Sequence, residues 1–365
     1  MINMKNNKKV GIVTLCGNNN YGNKLQNFAV LFYVSKMDYN VETIWICNPF
    51  LDNPIKQILK YFKKVMYENI KLFGRRAFFI NFNKYLNIKS RLFFNHDFRK
   101  VKNKYDYFIV GSDQVWNYNY FDNDSIYFLS DSNKRNISFS ASFGVSDIPK
   151  EYYNRYKNGL NNFDFISVRE NRGQSIVKEL TGRKDVEVLV DPTMLLTNKE
   201  WDKVSKKPRQ FDKLDGKKYI LNYFLGELSS KRKNAIEKFA KKYGCKIINI
   251  FNKNDPFYES GPSEFLYLEK HAFLICTDSF HSSVFAILYN KPFVVFDREQ
   301  SNVENMSSRI DTLLSKFKLK NRRYNGNAIT KDNLEHDYTE AYKILEVERK
   351  KSKKFLERAL CVEEK

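Results

Sequence analysis

At 365 residues the chain is long enough for two domains of ordinary size, each with its own core. An apolar content of 42% with 16% aromatics makes disorder not the default, and no window reaches the roughly 18 uninterrupted apolar residues of a membrane span. The net charge of +21 dictates no fold, but its uneven distribution bears on partners.

The N-terminal run MINMKNNKKVGIVTLCG carries the charge of a signal peptide, yet its apolar stretch is too short and leads into a loop. It is expected to be the first strand of a cytoplasmic protein. Short apolar runs then alternate with helical stretches, the pattern of an α/β fold with parallel sheets. In the first half, strands are expected at Val10–Leu15, Glu42–Ile46, Tyr107–Val110, Asn136–Ser140, Phe163–Val168 and Glu187–Leu189. Helices are expected over Asn23–Met37, much of 54–80, Glu151–Leu160 and Asn171–Leu180. The polar stretch 198–218 has no clear apolar period and marks the expected domain boundary. Beyond it the pattern restarts with a strand at Tyr219–Phe224, a helix at Ser230–Tyr243 and a strand at Lys246–Ile250. Ala272–Thr277 forms a further strand, a helix bearing Val284, Phe285, Ile287 and Leu288 follows, and Lys291-Pro292 opens another strand. The tail from about Tyr338 to Glu364 is a charged amphipathic helix with Ala341, Ile344, Leu345, Phe355 and Leu356 at apolar positions. The expected organisation is an N-terminal Rossmann-like domain over 1–200 and a C-terminal one over 201–330, facing a cleft, with a terminal helix over 331–365.

Five cysteines (Cys16, Cys47, Cys245, Cys276, Cys361) are scattered without a CxxC pair, as expected of reduced, mostly buried thiols. The four histidines (His96, His271, His281, His336) show no ligand spacing with them, so no metal is expected. Residues 55–104 hold 14 Lys and Arg against Glu68 and Asp97 alone, a local excess of +12, with eleven Phe and Tyr interleaved, Tyr61, Phe62, Phe78, Phe79, Phe93 and Phe94 among them. That mixture suits an anionic membrane surface or a nucleic-acid backbone. It equally describes a solvated helical face whose aromatics pack inward.

Four polar clusters stand at strand ends. CGNNNYGNKLQNFAV (16–30) is neither a dinucleotide glycine fingerprint nor a phosphate loop. Its Asn23 and Gln26 amides, near a helix start, are suited to sugar hydroxyls, or the segment is a plain strand–helix turn. YFIVGSDQVWN (107–117) offers Ser112 and Asp113 as ordinary helix caps or as ligand contacts, and Trp116 as core or as a stacking surface for a sugar ring. FDFISVRENRGQSIV (163–177) places Arg169 at a strand end, suited to bidentate capture of a carboxylate or phosphate or to pairing with Glu170. Nearby, Asp191 in VEVLVDPTMLL either begins a turn or faces a ligand. The fourth cluster is Asp278-Ser279-Phe280-His281 with Ser282, between an apolar strand and a helix. There the first-turn amides and the helix dipole favour an anion, Ser279 adds a hydroxyl and His281 a proton-transfer group.

These motifs, with GPSEFLYL (261–268) and TDSFHSSVFAILYNKP, occur in the order in which the polysaccharide pyruvyl transferase family carries them, and the chain resembles that family over residues 10 to about 297. The resemblance implies two Rossmann-like domains in the GT-B arrangement. It implies phosphoenolpyruvate as donor, with no cofactor, and as acceptor a sugar of a surface or capsular polysaccharide precursor. By that similarity His281 is the essential histidine of the donor site and Arg169 the donor-binding arginine. Ser279 and the amides after it would contact the donor phosphate, Asn23, Gln26, Asp113 and Trp116 would line the acceptor side, and Asp278, Ser282, Ser112 and Asp191 are further expected substrate-binding residues. A lipid-linked acceptor would draw the basic segment to the inner face of the plasma membrane, with no nucleic acid involved. The principal rival is a sugar-nucleotide glycosyltransferase, for which Glu264 is the one candidate ribose-binding carboxylate.

Overall fold

The computed structural model describes residues 8–46, 70–92, 97–120, 126–299 and 307–360. Cys47, His96, Cys361 and the basic, aromatic stretches 55–69 and 93–96 lie outside the described residues.

The chain opens with β1 (Lys9–Val13), α1 (Tyr21–Ser35) and β2 (Asn40–Ile46). Asn20 starts α1 by accepting a hydrogen bond from the Asn23 amide, the usual way an asparagine satisfies a first-turn donor. After α2 (Ile70–Phe82) come β3 (Ile88–Leu92), β4 (Tyr107–Val110) and β5 (Arg135–Ala141). The helix α3 (Tyr153–Asn161), β6 (Phe165–Val168), α4 (Asn171–Thr181) and β7 (Glu187–Val188) complete the first half. The second half runs β8 (Tyr219–Tyr223), α5 (Ser230–Tyr243), β9 (Lys246–Asn249), α6 (Pro262–His271) and β10 (Leu274–Thr277). It ends with α7 (Phe280–Leu288), β11 (Phe293–Val295), α8 (Ser307–Lys316) and α9 (Thr339–Leu360).

All strand pairs are parallel. One sheet has the order β3-β2-β1-β4-β5-β6-β7, the other β11-β10-β8-β9. Chain direction across the first sheet reverses between β1 and β4, and across the second between β8 and β10. Such reversal points open crevices at the carboxyl ends of the strands, where α/β sheets hold ligands. Described residues within Met1–Tyr67, Asn83–Leu196 and Val347–Lys365 form one compact unit, and those within Glu68–Phe82 and Thr197–Glu346 the other. Each is Rossmann-like, so the molecule is α/β with two parallel-sheet units of GT-B type.

The division differs in two places from the expected domains. First, α2 leaves the basic segment of the N-terminal half and joins the second unit. Its Arg75 is 4% exposed, donates from Nη1 to the Ile250 and Tyr258 carbonyls (both 2.8 Å), and lies over the rings of Phe79, Phe251 and Tyr258. Gly261 admits Phe78 so closely that a Cβ there would come within 2.6 Å of it. At least this cation of the basic segment is therefore a buried anchor, not a surface charge. Second, α9 begins in the second unit, where Tyr342 donates to the Ile287 carbonyl (2.9 Å), and ends in the first. There Phe355 packs on Phe139 and Phe165, Arg349 donates to the Met194 and Leu196 carbonyls, and the Leu360 carbonyl accepts from Tyr39. No helix among the described residues is long and apolar enough to cross a membrane.

Candidate functional site

At the reversal point of the first sheet, Thr14 follows β1 and Ser112 follows β4. Thr14 Oγ1 donates to the Ser112 carbonyl (2.9 Å). Gln26 bridges the pair: its Oε1 accepts from the Ser112 amide (2.7 Å), while Nε2 donates to Thr14 Oγ1 (2.9 Å) and the Asn23 carbonyl (3.0 Å). Asn23 Nδ2 donates to Asp113 Oδ2 (2.7 Å). Arg169 donates to Asp191 Oδ2 from Nη1 (2.6 Å) and to Asp113 Oδ1 from Nη2 (3.2 Å). Asp191 Oδ1 accepts from the Thr193 amide and hydroxyl, capping a short helix. Ser112 Oγ lies 2.7 Å from the Ser140 carbonyl and 3.2 Å from Asp191 Oδ2. Residues that the sequence scatters over three clusters, Asn23, Gln26, Ser112, Asp113, Arg169 and Asp191, thus share one network. Gly111 makes the turn possible: its φ is 109°, and a Cβ would come within 2.7 Å of the Phe139 carbonyl.

The network is more enclosed than the sequence suggests. Gln26 and Ser112 are fully buried, and Arg169 and Asp191 are 3% and 1% exposed. Gln26 is therefore an internal strut between strands and not a sugar-binding amide. Arg169, expected as a donor-capturing fork, holds a carboxylate on each of its Nη groups. Burial opposes its charge, but Asp191, Asp113 and Glu170 together raise its pKa above the ordinary arginine value. Three carboxylates around one guanidinium make this edge hospitable to hydroxyls and unfavourable to a phosphate. Trp116 is the plainest correction. It is 1% exposed, donates from Nε1 to the Tyr127 carbonyl and packs among Phe128, Phe143 and Phe163, so no ring face remains for a sugar.

Sequence reasoning saw Glu170 only as a possible partner of Arg169 and missed a serine ladder. Glu170 Oε1 accepts from Ser142 Oγ (3.0 Å) and the Phe143 amide (2.9 Å), fixing the loop after β5. Ser138 and Ser140 on β5 and Ser142 just after it alternate in sequence and are fully buried. Their hydroxyls reach Ser167, Val190 and Glu170. That period-two run of small polar residues in SFSAS was the available signal.

At the reversal point of the second sheet, Asp278 acts as a clasp. Its Oδ1 accepts from the Leu225 amide (2.7 Å) and its Oδ2 from the Gly226 amide (2.8 Å), tying the end of β10 to the loop after β8. Arg298 Nε also donates to Oδ2 (3.2 Å). Asp278 was expected to bind substrate; its oxygens hold the loop and Arg298. Ser279 is the N-cap of α7, and its side chain makes no capping hydrogen bond. His281 stands in the first turn, 6% exposed, with its ring edge-on to Phe280. The helix end thus offers backbone amides, a hydroxyl and an imidazole.

Ser282, one residue on, turns inward and donates to Glu269 Oε1 of α6 (2.5 Å). Glu269 is fully buried, and burial drives its pKa well above the ordinary 4.5, against a smaller opposing effect of Ser282. The sign follows from proton linkage. Below pH 4.5 folded and unfolded chains are both protonated; above it only the unfolded chain ionises, so the folded state loses about 1.4 kcal/mol per pH unit until its own group ionises. Glu269→Gln removes that loss, so the stability difference from wild type, read from urea midpoints, is expected to grow as pH rises from about 5 to 8. Parallel curves would mean that Glu269 is ionised in the fold.

Glu264, the rival reading's ribose ligand, accepts from the Gly261 amide (3.1 Å) and closes the start of α6. No cluster of three or more His, Cys, Asp or Glu among the described residues is arranged to hold a metal.

Two solved structures illustrate the fold. A UDP-N-acetylglucosamine 2-epimerase aligns over 98% of this chain and 96% of its own with a TM-score of 0.51 at 10% identity. The UDP-GlcNAc 2-epimerase of Methanocaldococcus jannaschii aligns over 93% and 99% with a TM-score of 0.50 at 14% identity. At such identities the likeness concerns the fold alone. No curated protein matches the sequence significantly. The sequence profile that describes polysaccharide pyruvyl transferases, in contrast, matches residues 20–300, most of the chain, and the protein belongs to that family.

Proposed function

We propose that the protein transfers pyruvate from phosphoenolpyruvate to a sugar of a cell-surface or capsular polysaccharide precursor, forming a pyruvate ketal. The observation that carries this reading is the α7 start, where His281 and the uncapped Ser279 stand at a sheet reversal point. Phosphoenolpyruvate is a small polyanion, and a helix N-terminus is a natural cradle for its phosphate. In the reaction the donor methylene carbon gains a proton and becomes a methyl group, and one sugar hydroxyl attacks the neighbouring carbon. Phosphate leaves, and a second hydroxyl closes the ring, each hydroxyl surrendering its proton. His281 either delivers the proton to carbon or holds the phosphate. The carboxylate-rich edge of the first unit suits the acceptor, with Asn23 and Asp113 nearest solvent at 8% and 4% exposure. Arg169 then acts by positioning Asp113 and Asp191.

The test is incubation with phosphoenolpyruvate and candidate lipid-linked glycans, followed by mass spectrometry for the added pyruvate and assay of released phosphate. Donor titration against sugar nucleotides separates this reading from a glycosyltransferase; turnover of a sugar nucleotide alone would overturn it. A lipid-linked acceptor also suits the basic residues that remain on the surface, Lys84, Lys89, Arg91, Arg99, Lys100 and Lys104. Binding to vesicles rich in anionic lipid is expected at low salt and is expected to fade as salt rises. No binding at low salt would remove the membrane contact.

A further inference from the structure

We infer that a cavity of about 280 Å³ between α3 and α4, within the first unit, is a subsite for an uncharged sugar ring, a second sugar of the acceptor. The inference rests on the reading above for the source of that sugar. Helical spacing builds the walls. Arg172, Ile176, Glu179 and Leu180 follow one another along a single face of α4, and Tyr153, Asn154 and Lys157 stand in the first turns of α3. Ile148 and Ile176, each 2% exposed, supply apolar lining, and Asp147, Tyr153, Asn154, Lys157 and Glu179 the polar part. Arg172 fixes the two carboxylates. Its Nη1 donates to Glu179 Oε1 (2.6 Å), its Nη2 lies 3.5 Å from Asp147 Oδ1, and its Nε donates to the Ser146 carbonyl. The loop after β5 joins this cavity to the acceptor edge. It leaves that edge at Ser142, whose amide donates to the Asp113 carbonyl (2.9 Å), and it reaches the cavity at Asp147. Glu170 holds the near end of the loop and Arg172 the far end.

The chemistry of the lining selects the ligand. Asp147 and Glu179 are balanced by Lys157 and Arg172, so a strongly charged ligand gains nothing there and a neutral one rich in hydroxyls does. Tyr153 is 39% exposed, and among the described residues its ring stacks on no other aromatic. Asn154 and Lys157 make no side-chain hydrogen bond or ion pair among the described residues. Asp147 Oδ2 and Glu179 Oε2 likewise accept from no described residue, while the other oxygen of each faces Arg172. Acceptors, donors and an aromatic face stand together, as the hydroxyls and the apolar C–H face of a pyranose require. The volume limits the ligand. Small-molecule pockets run from roughly 300 to 1,000 Å³, and this one, at the small end, takes a single ring. Exposed ion pairs add little stability, so the Arg172 contacts are better explained by the placing of Asp147 and Glu179 than by holding the fold.

The experiment measures binding of the methyl glycosides of glucose, galactose, mannose and N-acetylglucosamine by saturation-transfer NMR. Wild type is compared with Tyr153→Ala, Tyr153→Phe and Asn154→Ala, each checked for folding by its urea midpoint. At least one glycoside is expected to bind, about 10-fold more weakly to Tyr153→Ala, with Tyr153→Phe close to wild type and Asn154→Ala between them. In the transfer assay Tyr153→Ala is expected to raise KM for an acceptor of two or more sugars more than KM for phosphoenolpyruvate, with kcat changing less. If Tyr153→Ala does not fold, Asn154→Ala decides: affinity equal to wild type overturns the proposal. Unchanged affinity in a folded Tyr153→Ala protein overturns it as well, because the glycoside then sits elsewhere. Binding of none of the four glycosides also overturns it, and leaves the pyruvyl transfer reading intact if wild type turns over. Glycoside binding that depends on Tyr153 in a protein that transfers no pyruvate overturns that reading while the sugar subsite stands. Wild type that neither binds a glycoside nor transfers pyruvate overturns both.

Discussion

Replacing His281 by alanine is expected to lower pyruvate transfer about 10²–10⁴-fold while the protein stays folded, the range for removing a positioned proton-transfer group. The side chain lies in the first turn of α7 and is 6% exposed, so the variant's urea midpoint is read beside its kinetics. The kinetic constants divide the two roles. A general acid acts mainly in the transition state, so its loss falls on kcat and removes one limb of the pH profile. A phosphate ligand acts in the ground state as well, and its loss raises KM. Ketal formation by a folded His281→Ala protein at the wild-type rate would take His281 out of the chemistry altogether.

The second large effect concerns stability. Arg169→Met leaves Asp113 and Asp191 facing each other in the buried edge of the first sheet, with side-chain exposures of 6% and 0% and no guanidinium between them. Removing one partner of a buried ion pair costs about 3–5 kcal/mol, a large part of the roughly 5–15 kcal/mol that holds a typical domain folded. Urea denaturation is expected to show that loss, with Arg169→Lys falling between wild type and the methionine variant. Direct donor capture would give a different result: unaltered unfolding, and a raised KM for phosphoenolpyruvate in both variants. That outcome would return Arg169 to the role its motif suggests.

Much of the fold was legible because buried parallel strands leave a strong mark. The β4 strand, YFIV, and the helix α5 stand where the apolar pattern puts them, residue for residue. What escaped did so for physical reasons. The β3 strand, IKSRL, exposes Lys89 and Arg91 between its buried residues and merged with the charge of its surroundings. The helix α6 buries Ser263, Glu264 and Glu269 along with Phe265, Leu266 and Leu268, so it has no polar face to set a period. At the sites, residue type was legible but burial was not. Asn23, Gln26, Asp113 and Arg169 carry ligand-binding chemistry in any sequence, and only the fold reveals that most of that chemistry is spent on one another.

Two helices belong, wholly or in part, to the unit that the rest of their half of the chain does not. Cutting at residue 196 would strip the first sheet of Phe355 and of the Arg349 bonds to Met194 and Leu196. The remaining C-terminal piece would lose Arg75 from its seat among Phe251, Tyr258 and the Ile250 carbonyl. Chimaeras that graft one half of a relative onto the other half of this chain must therefore carry three junctions, near residues 67, 82 and 346, besides the obvious one. Specificity in such a protein is exchanged by interleaving, and a single crossover would yield two incomplete halves.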